Sequence, residues 1–288
     1  MAELTTTPPF EIVVERSRRW VNINWREIWD YRDLLLLLVK RDFISRYKQT
    51  ILGPAWFILQ PLLNTAVFTI VFGQIAGIPT DGIPAPLFYL CGQLGWNYFS
   101  QNITTGSATF VNNAHLFGKV YFPRLIMPVS VIVSNLFAFL LQFIPFLLFY
   151  FYYLIVEANG MDLHPTMKLL FTPLLIVETA FLSLGVGLWM SAASAKYRDL
   201  VHLNQYLIQI WMFGSAVIYP LSKVPPHWKW LVDLNPMASI VEGFRISLLD
   251  RGTLTLPQIV ITLSLTILIL ISGIVAFQRV ERTVVDSV

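Results

Sequence analysis

Six stretches of this sequence run for more than twenty residues with hardly a charged side chain, and no other feature constrains the fold as tightly. They cover about 54–76, 83–111, 125–156, 169–195, 200–221 and 254–278, and only Glu178 interrupts any of them. A bilayer core about 30 Å thick is crossed by roughly 20 apolar residues in a helix. Lipid offers no partner for backbone amides, so a crossing segment satisfies them within itself. The expectation is an all-α integral membrane protein with six transmembrane helices. Composition agrees. Hydrophobic residues make up 56% of the 288 and charged residues 13%, against roughly 25% charged in an ordinary soluble domain. These values exclude a soluble globular enzyme and a disordered chain. A net charge of +3 with dispersed basic residues argues against nucleic acid. The single cysteine, Cys91, excludes an internal disulfide framework and a cysteine-built metal site.

Lys and Arg orient the spans. Nine of the twenty lie in the first 53 residues, and Lys119, Arg124, Lys196, Arg198, Arg279 and Arg282 fall on the same side. Only Lys168, Lys223, Lys229, Arg245 and Arg251 fall opposite. Both termini are therefore expected in the cytoplasm. The division is 1–53 as a cytoplasmic N-terminal segment, 54–278 as the membrane domain and 279–288 as a cytoplasmic tail. Residues 1–33 lack the apolar core of a signal peptide.

Residues 34–49 read LLLLLVKRDFISRYKQ. On a helix, Leu36, Val39, Phe43 and Tyr47 form an apolar stripe, with Lys40, Arg41, Arg46 and Lys48 among the polar residues. That is the pattern of an amphipathic helix lying in the membrane surface. Its cations have two readings: an anchor on anionic lipid, or a contact with an anionic substrate headgroup. Gly53-Pro54 then breaks the helix and starts the first span. On the opposite side, 219–251 is the one long external connection. It is expected to form two short helices separated by Asn235-Pro236, dipping into the interface or folding back into the bundle. Trp228 and Trp230 suit an interfacial aromatic belt. Asp233, Glu242 and Asp250 are read as solvating those helices.

Glu178 and His202 are too isolated to make a proton relay. Uncharged polar residues say more. In span one Phe57, Gln60, Asn64 and Phe68 share a helical face. In span five Gln205, Gln209 and Phe213 share another, with Tyr206 alongside. Amides hydrogen-bond hydroxyls and aromatic rings stack on the apolar face of a pyranose, so these faces suit a sugar chain. The other reading is interhelical glue. Span three carries nine aromatics between Phe137 and Tyr153, read as a lipid-facing helix ending in an interfacial belt. The sequence has no P-loop: before Gly118-Lys119 the position of the first glycine is Asn113, and Val120 follows. The chain is expected not to be an enzyme and to bind no cofactor.

The stretch RDFISRYKQTILGPAWFILQPLL, Arg41 to Leu63, resembles the amino-terminal signature of ABC-2 type permeases of polysaccharide export, the Wzm-like O-antigen and teichoic acid exporters. NNAHLFGKVYFPR, SAKYRDL and NPM follow in that family's order. The resemblance implies a homodimer of six-span subunits in the bacterial inner membrane. It implies two copies of a separate cytoplasmic, Wzt-like ATPase that holds the ATP and Mg. The coupling helix maps to Asn112–Arg124, with Asn113, His115, Phe117, Lys119, Tyr121 and Arg124 as its contacts, and Lys196 and Arg198 form a second contact. The resemblance further implies that spans one and five line the channel, that the external pair with Trp228 and Trp230 closes the exit, and that the cargo is a long glycan on a polyprenyl diphosphate lipid. A permease for a drug, lipid or small amphiphile shares the topology and is the alternative; a membrane-embedded enzyme and a scaffold fit less well.

Overall fold

The computed structural model describes residues 25–48, 50–110, 113, 122–156 and 166–285. Among the described residues every regular element is helical. Two short N-terminal pieces, α1 (Trp25–Asp30) and α2 (Arg32–Tyr47), precede α3 (Trp56–Phe68), which runs on through a π-helical turn at Thr69–Ile75. Then come α4 (Ala85–Ser107), α5 (Ile126–Val156), α6 (Thr172–Lys196) and α7 (Leu200–Phe213). The short pair α8 (Pro226–Asp233) and α9 (Pro236–Leu249) leads to α10 (Leu256–Val285).

Among the described residues four helical stretches are long and apolar enough to cross a membrane: Gly53–Ile75, Ile126–Ile155, Met167–Lys196 and Leu256–Glu281. The other two expected spans differ, each for a visible reason. The 23 residues of α4 suffice in length, but Gln93, Asn97, Gln101, Asn102, Thr104 and Thr105 dilute its apolarity. It is the hub of the bundle instead. Leu87, Phe88, Tyr89, Leu94, Phe99 and Ile103 are buried against Phe139 and Phe146 of α5, Leu182 of α6 and Met237, Val241 and Phe244 of α9. The fifth run was expected to be helical over 200–221, yet α7 stops after 14 residues. At 1.5 Å per residue that is about 21 Å, short of the bilayer core. The chain then turns, with Ala216 at φ +54°. Ser215 to Ile218 are buried as irregular backbone, which a membrane protein tolerates inside its own core.

The break has a distant cause. The Asn235 amide donates to Gly214 O at 2.8 Å and Ser215 Oγ at 3.1 Å. Its Oδ1 accepts from Trp211 Nε1 at 3.0 Å and caps α9 through Met237 N at 3.1 Å. Pro236 then occupies the first turn, where its missing N–H costs nothing. The pair α8–α9 with its Asn235-Pro236 junction thus forms as expected, and α9 inserts into the core rather than skirting it. The closest helix contact is between α6 and α10. A Cβ at Gly185 would sit 2.7 Å from Leu270 Cα, and one at Gly273 would collide with Gly185 O. Only glycine lets these backbones meet.

Three side-chain expectations are corrected. In α2 the buried residues are Leu38 and Val39, with Leu34 and Leu35 partly covered, packed on Phe122, Ile126 and Met127; Leu36 is exposed. Val39 and Phe43 of the expected stripe do face inward, Phe43 against Phe57, but Leu38 takes the place of Leu36 because LLLLL offers apolar residues on every face. Asp233, Glu242 and Asp250 form no solvating cluster. Asp233 accepts from Gln258 Nε2 at 2.6 Å, Asp250 pairs with Lys168 at 2.6 Å, and Glu242 is fully buried. The aromatics of α5 divide: Phe139, Phe146 and Tyr150 are core, while Phe137, Phe151 and Tyr152 are exposed.

Candidate functional site

The amides separate into two populations. One population is glue. Gln93 Nε2 donates to Thr65 Oγ1 at 3.0 Å, and Asn97 Nδ2 to Gln142 Oε1 at 3.2 Å. Asn135 Nδ2 donates to Asn102 Oδ1 at 2.7 Å, and Asn102 Nδ2 to Ser183 Oγ at 2.9 Å. Asn204 Nδ2 donates to Ser107 Oγ at 3.2 Å. These bonds tie α4 to α3, α5, α6 and α7, as buried polar groups between apolar helices do. The second population faces outward. Gln60 and Asn64 of α3 and Gln205 and Gln209 of α7 are all exposed. Tyr206 and Phe213 accompany the α7 amides at 65% and 54% exposure. The buried face of α7 is Asn204 and Ile208.

The structure does not gather the whole predicted path into one pocket. On α3 only Gln60 and Asn64 are open, because Phe57 is buried and Phe68 packs edge-on against Tyr89 at 5.9 Å. A cleft of about 280 Å³ between α3, α4 and α5 takes in Phe57 and Gln60, and no α7 residue lines it. α2 touches its wall: Phe43 stacks on Phe57 and meets Phe137 edge-on, both at 6.2 Å. On α2, Lys40, Arg41 and Lys48 are exposed, and Arg41 also pairs with Asp42 at 2.7 Å. Arg46 lies on the same helix.

Residues expected to meet an ATPase are placed in part. His115, Phe117, Lys119 and Tyr121 lie outside the described residues. Asn113 is turned back onto Thr109 O at 2.9 Å. Arg124 donates to Glu281 O at 3.2 Å and lies 3.7 Å from that carboxylate, joining the start of α5 to the end of α10. Lys196 sits over the Tyr197 ring at 5.2 Å, and Arg198 is exposed.

At the opposite end Trp228 and Trp230 of α8 are exposed. Beneath them lies the feature that sequence reasoning missed. Arg245 is 1% exposed and Glu242 0%. Arg245 NH1 donates to Glu242 Oε2 at 3.1 Å and to Tyr219 O at 3.4 Å, and NH2 donates to Val217 O at 2.9 Å. The guanidinium lies 3.8 Å from the centre of the Phe88 ring. Glu242 Oε1 accepts from Thr253 N at 3.0 Å. One ion pair therefore ties α9 to α4, to the broken end of α7 and to the approach to α10. The sequence signal was an acid and a base three residues apart in an apolar run, IVEGFRISLL. A second tie is on the surface, where hydrogen bonding from Lys168 holds the Asp250 carboxyl below its usual range.

The sequence profile of the ABC-2 type transporter family matches residues 33–249. A Myxococcus xanthus protein named O-antigen export system permease protein RfbA is 30% identical over 76% of this chain and 82% of its own length. A Klebsiella pneumoniae protein of the same name is 25% identical over 86% of this chain and 92% of its own. The Escherichia coli polysialic acid transport protein KpsM is 25% identical over 71% of this chain and 77% of its own. With most of its length inside that profile, and with apolar helices that meet the length of a bilayer, the chain belongs to the ABC-2 type transporter family of membrane permeases.

Proposed function

We propose that this chain is the channel-forming subunit of an ATP-driven exporter that carries a polyprenyl-diphosphate-linked polysaccharide out of the cytoplasm. The observation that carries the reading is the likeness, over most of the chain, to permeases named for O-antigen and polysialic acid transport. The outward amides and aromatics of α3 and α7 support it, because their chemistry is that of hydroxyl recognition and ring stacking.

In this reading the subunit crosses the membrane six times. α4 and the α7 to Tyr219 stretch complete the count, with both termini in the cytoplasm. The unpartnered faces of α3 and α7 belong to a channel that one copy does not enclose, which favours a homodimer. Energy comes from two copies of a cytoplasmic ATPase that hold ATP and Mg and contact 112–124 and 196–199. The cargo enters near α2, where Lys40, Arg41, Arg46 and Lys48 meet anionic headgroups. It then slides along α3 and α7 and leaves past α8 and α9, which close the exit at rest.

The test is depletion. Cells lacking this protein are extracted for polyprenyl-linked glycans, and surface polymer is measured in parallel. Completed polymer accumulating inside while surface polymer falls supports the assignment. An unchanged surface glycan refutes it and moves export of a small lipid or drug to first place.

A further inference from the structure

The cleft between α3, α4 and α5 lies at a defined depth. Gln93 meets Thr65, and a Cβ on Gly73 would touch Ala85. This antiparallel register puts the first turn of α3 level with Asn97 to Gln101 of α4. The cleft therefore sits where the first apolar helix begins. Asn135, on its wall, is about 14 Å along α5 from Ile126 at 1.5 Å per residue.

Its chemistry is selective. The lining combines the rings of Trp56, Phe57, Tyr98 and Phe139 with the amides of Gln60, Asn97, Gln101, Asn135 and Gln142, and contains no charged residue. Asn97 and Gln142 bond each other and Asn135 bonds Asn102, but an acyl chain would cover the Gln60 amide and leave Asn135 Oδ1 unmet, at about 1–3 kcal/mol for each group it buries. A diphosphate would find no cation. A pyranose answers both conditions, offering hydroxyls on its edge and an apolar C–H face to a ring. The second observation is an orphan. Asn135 is 1% exposed and donates to Asn102, yet its Oδ1 has no partner among the described residues. Of the buried side-chain acceptors that no described donor meets, it is the one on the cleft wall, and a sugar hydroxyl is a donor of suitable strength. The volume, about 280 Å³, is near the roughly 300 Å³ at which small-molecule sites begin, and it suits one ring rather than a chain.

We propose that this cleft is a subsite for a single neutral pyranose, the first sugar of the lipid-linked glycan, held while its diphosphate stays outside beside α2. The subsite rests on the polysaccharide reading above; it shares Gln60 with the outward face of α3, and its walls come from α3, α4 and α5. It selects cargo at the threshold of the channel, before the polymer reaches the transport path.

The test is photolabelling of the full-length chain in lipid nanodiscs. One probe is a diazirine-bearing hexose on a polyprenyl diphosphate; the other carries the same hexose on diacylglycerol. Labelled peptides are mapped by mass spectrometry in the wild type, in Ala138→Phe, which fills the cleft, and in Gln142→Met, which removes an amide at similar volume. The expected result is diphosphate-probe labelling at 97–101 and 135–142, reduced about tenfold or more in both variants. Gln142→Met also takes the acceptor from Asn97 Nδ2, so labelling is compared on folded protein, verified by a cooperative thermal transition in each variant. If Ala138→Phe fails to fold, Gln142→Met carries the comparison. Label confined to α7, or label in the cleft from the diacylglycerol probe alone, overturns the proposal. Depletion is scored separately: a cleft that takes no label in a chain whose loss does block export overturns the subsite and leaves the export reading intact.

Discussion

Replacing Arg245 by Met puts the buried lock to its most direct test. The substitution removes three hydrogen bonds, to Glu242 Oε2, Val217 O and Tyr219 O, and the cation lying over Phe88. It leaves Glu242 with full burial and one remaining partner, Thr253 N. Removing one partner of a buried ion pair typically costs about 3–5 kcal/mol, because the other charge is left uncompensated. Three severed bonds to buried backbone and carboxylate groups put Arg245→Met at the upper end of that range. Glu242→Gln, which keeps an acceptor for Thr253 N, should cost less. The double variant is the sharper measurement. With both charges gone the desolvation penalty disappears, so Glu242→Gln/Arg245→Met should regain about 2 kcal/mol or more over the sum of the singles. The assay is equilibrium unfolding in mixed micelles across wild type, both singles and the double. Trp230→Ala, on the exposed surface of α8, serves as the reference. Single effects that simply add, or an Arg245→Met variant no weaker than Trp230→Ala, would refute the reasoning.

Further outcomes follow from other contacts. Gly185→Ala should lower stability by about 1–3 kcal/mol, because its Cβ would sit 2.7 Å from the Leu270 backbone, where no side chain can swing away; the thermal midpoint reads this out. Gly92→Ala should be milder, since its Cβ meets Arg245 NH2 and Val217 O at 3.0 Å, and its effect should shrink in an Arg245→Met background. Replacing Gln205 and Gln209 together by Leu should cut surface polymer at least tenfold with no loss of folded protein, because neither amide bonds to another described residue; normal export would remove these residues from the path. The Lys168–Asp250 tie is a pH probe. The folded carboxyl titrates below its unfolded value of about 3.9, so its contribution is present above that value and lost as pH falls through the folded one. Wild type and Lys168→Met should differ slightly at pH 7, as an exposed pair contributes little, and should converge as pH falls through the folded carboxyl's lowered value.

What could be read from the sequence depended on how local its cause was. The helix pair around Asn235-Pro236 was legible because cap and proline are neighbours in the chain. The longest apolar runs were legible because a bilayer imposes length and composition at once. The premature end of α7 was not, since the amide that captures Gly214 O lies 21 residues downstream. Glu242 read as solvated and Arg245 as no more than an external charge for the same kind of reason: their burial depends on Val217 O, Tyr219 O and Phe88, which no window around α9 contains. For α2, five consecutive leucines erase the periodicity that would have picked the buried face. The path residues divided according to surroundings. Gln205, Tyr206, Gln209 and Phe213 face outward together as their spacing predicts, whereas Phe57 and Phe68 are drawn inward by Phe43 and Tyr89 on other helices. The cleft went unseen because its amides come from three helices, and Asn135 looks like any polar residue in span three until Asn102 takes its hydrogens.

Asn235 leaves the molecule with one fewer independent motion than its helix count suggests. A single side chain grips the last turn of α7 through Trp211, Gly214 and Ser215, and with the same amide it caps the first turn of α9. Whatever turns or tilts α7 must therefore drag the head of α9 or break three hydrogen bonds together. The helix with the outward amides and rings and the helix inserted into the core move as a linkage, like a crank and its rod. An asparagine too short to stretch sets the gear ratio between them.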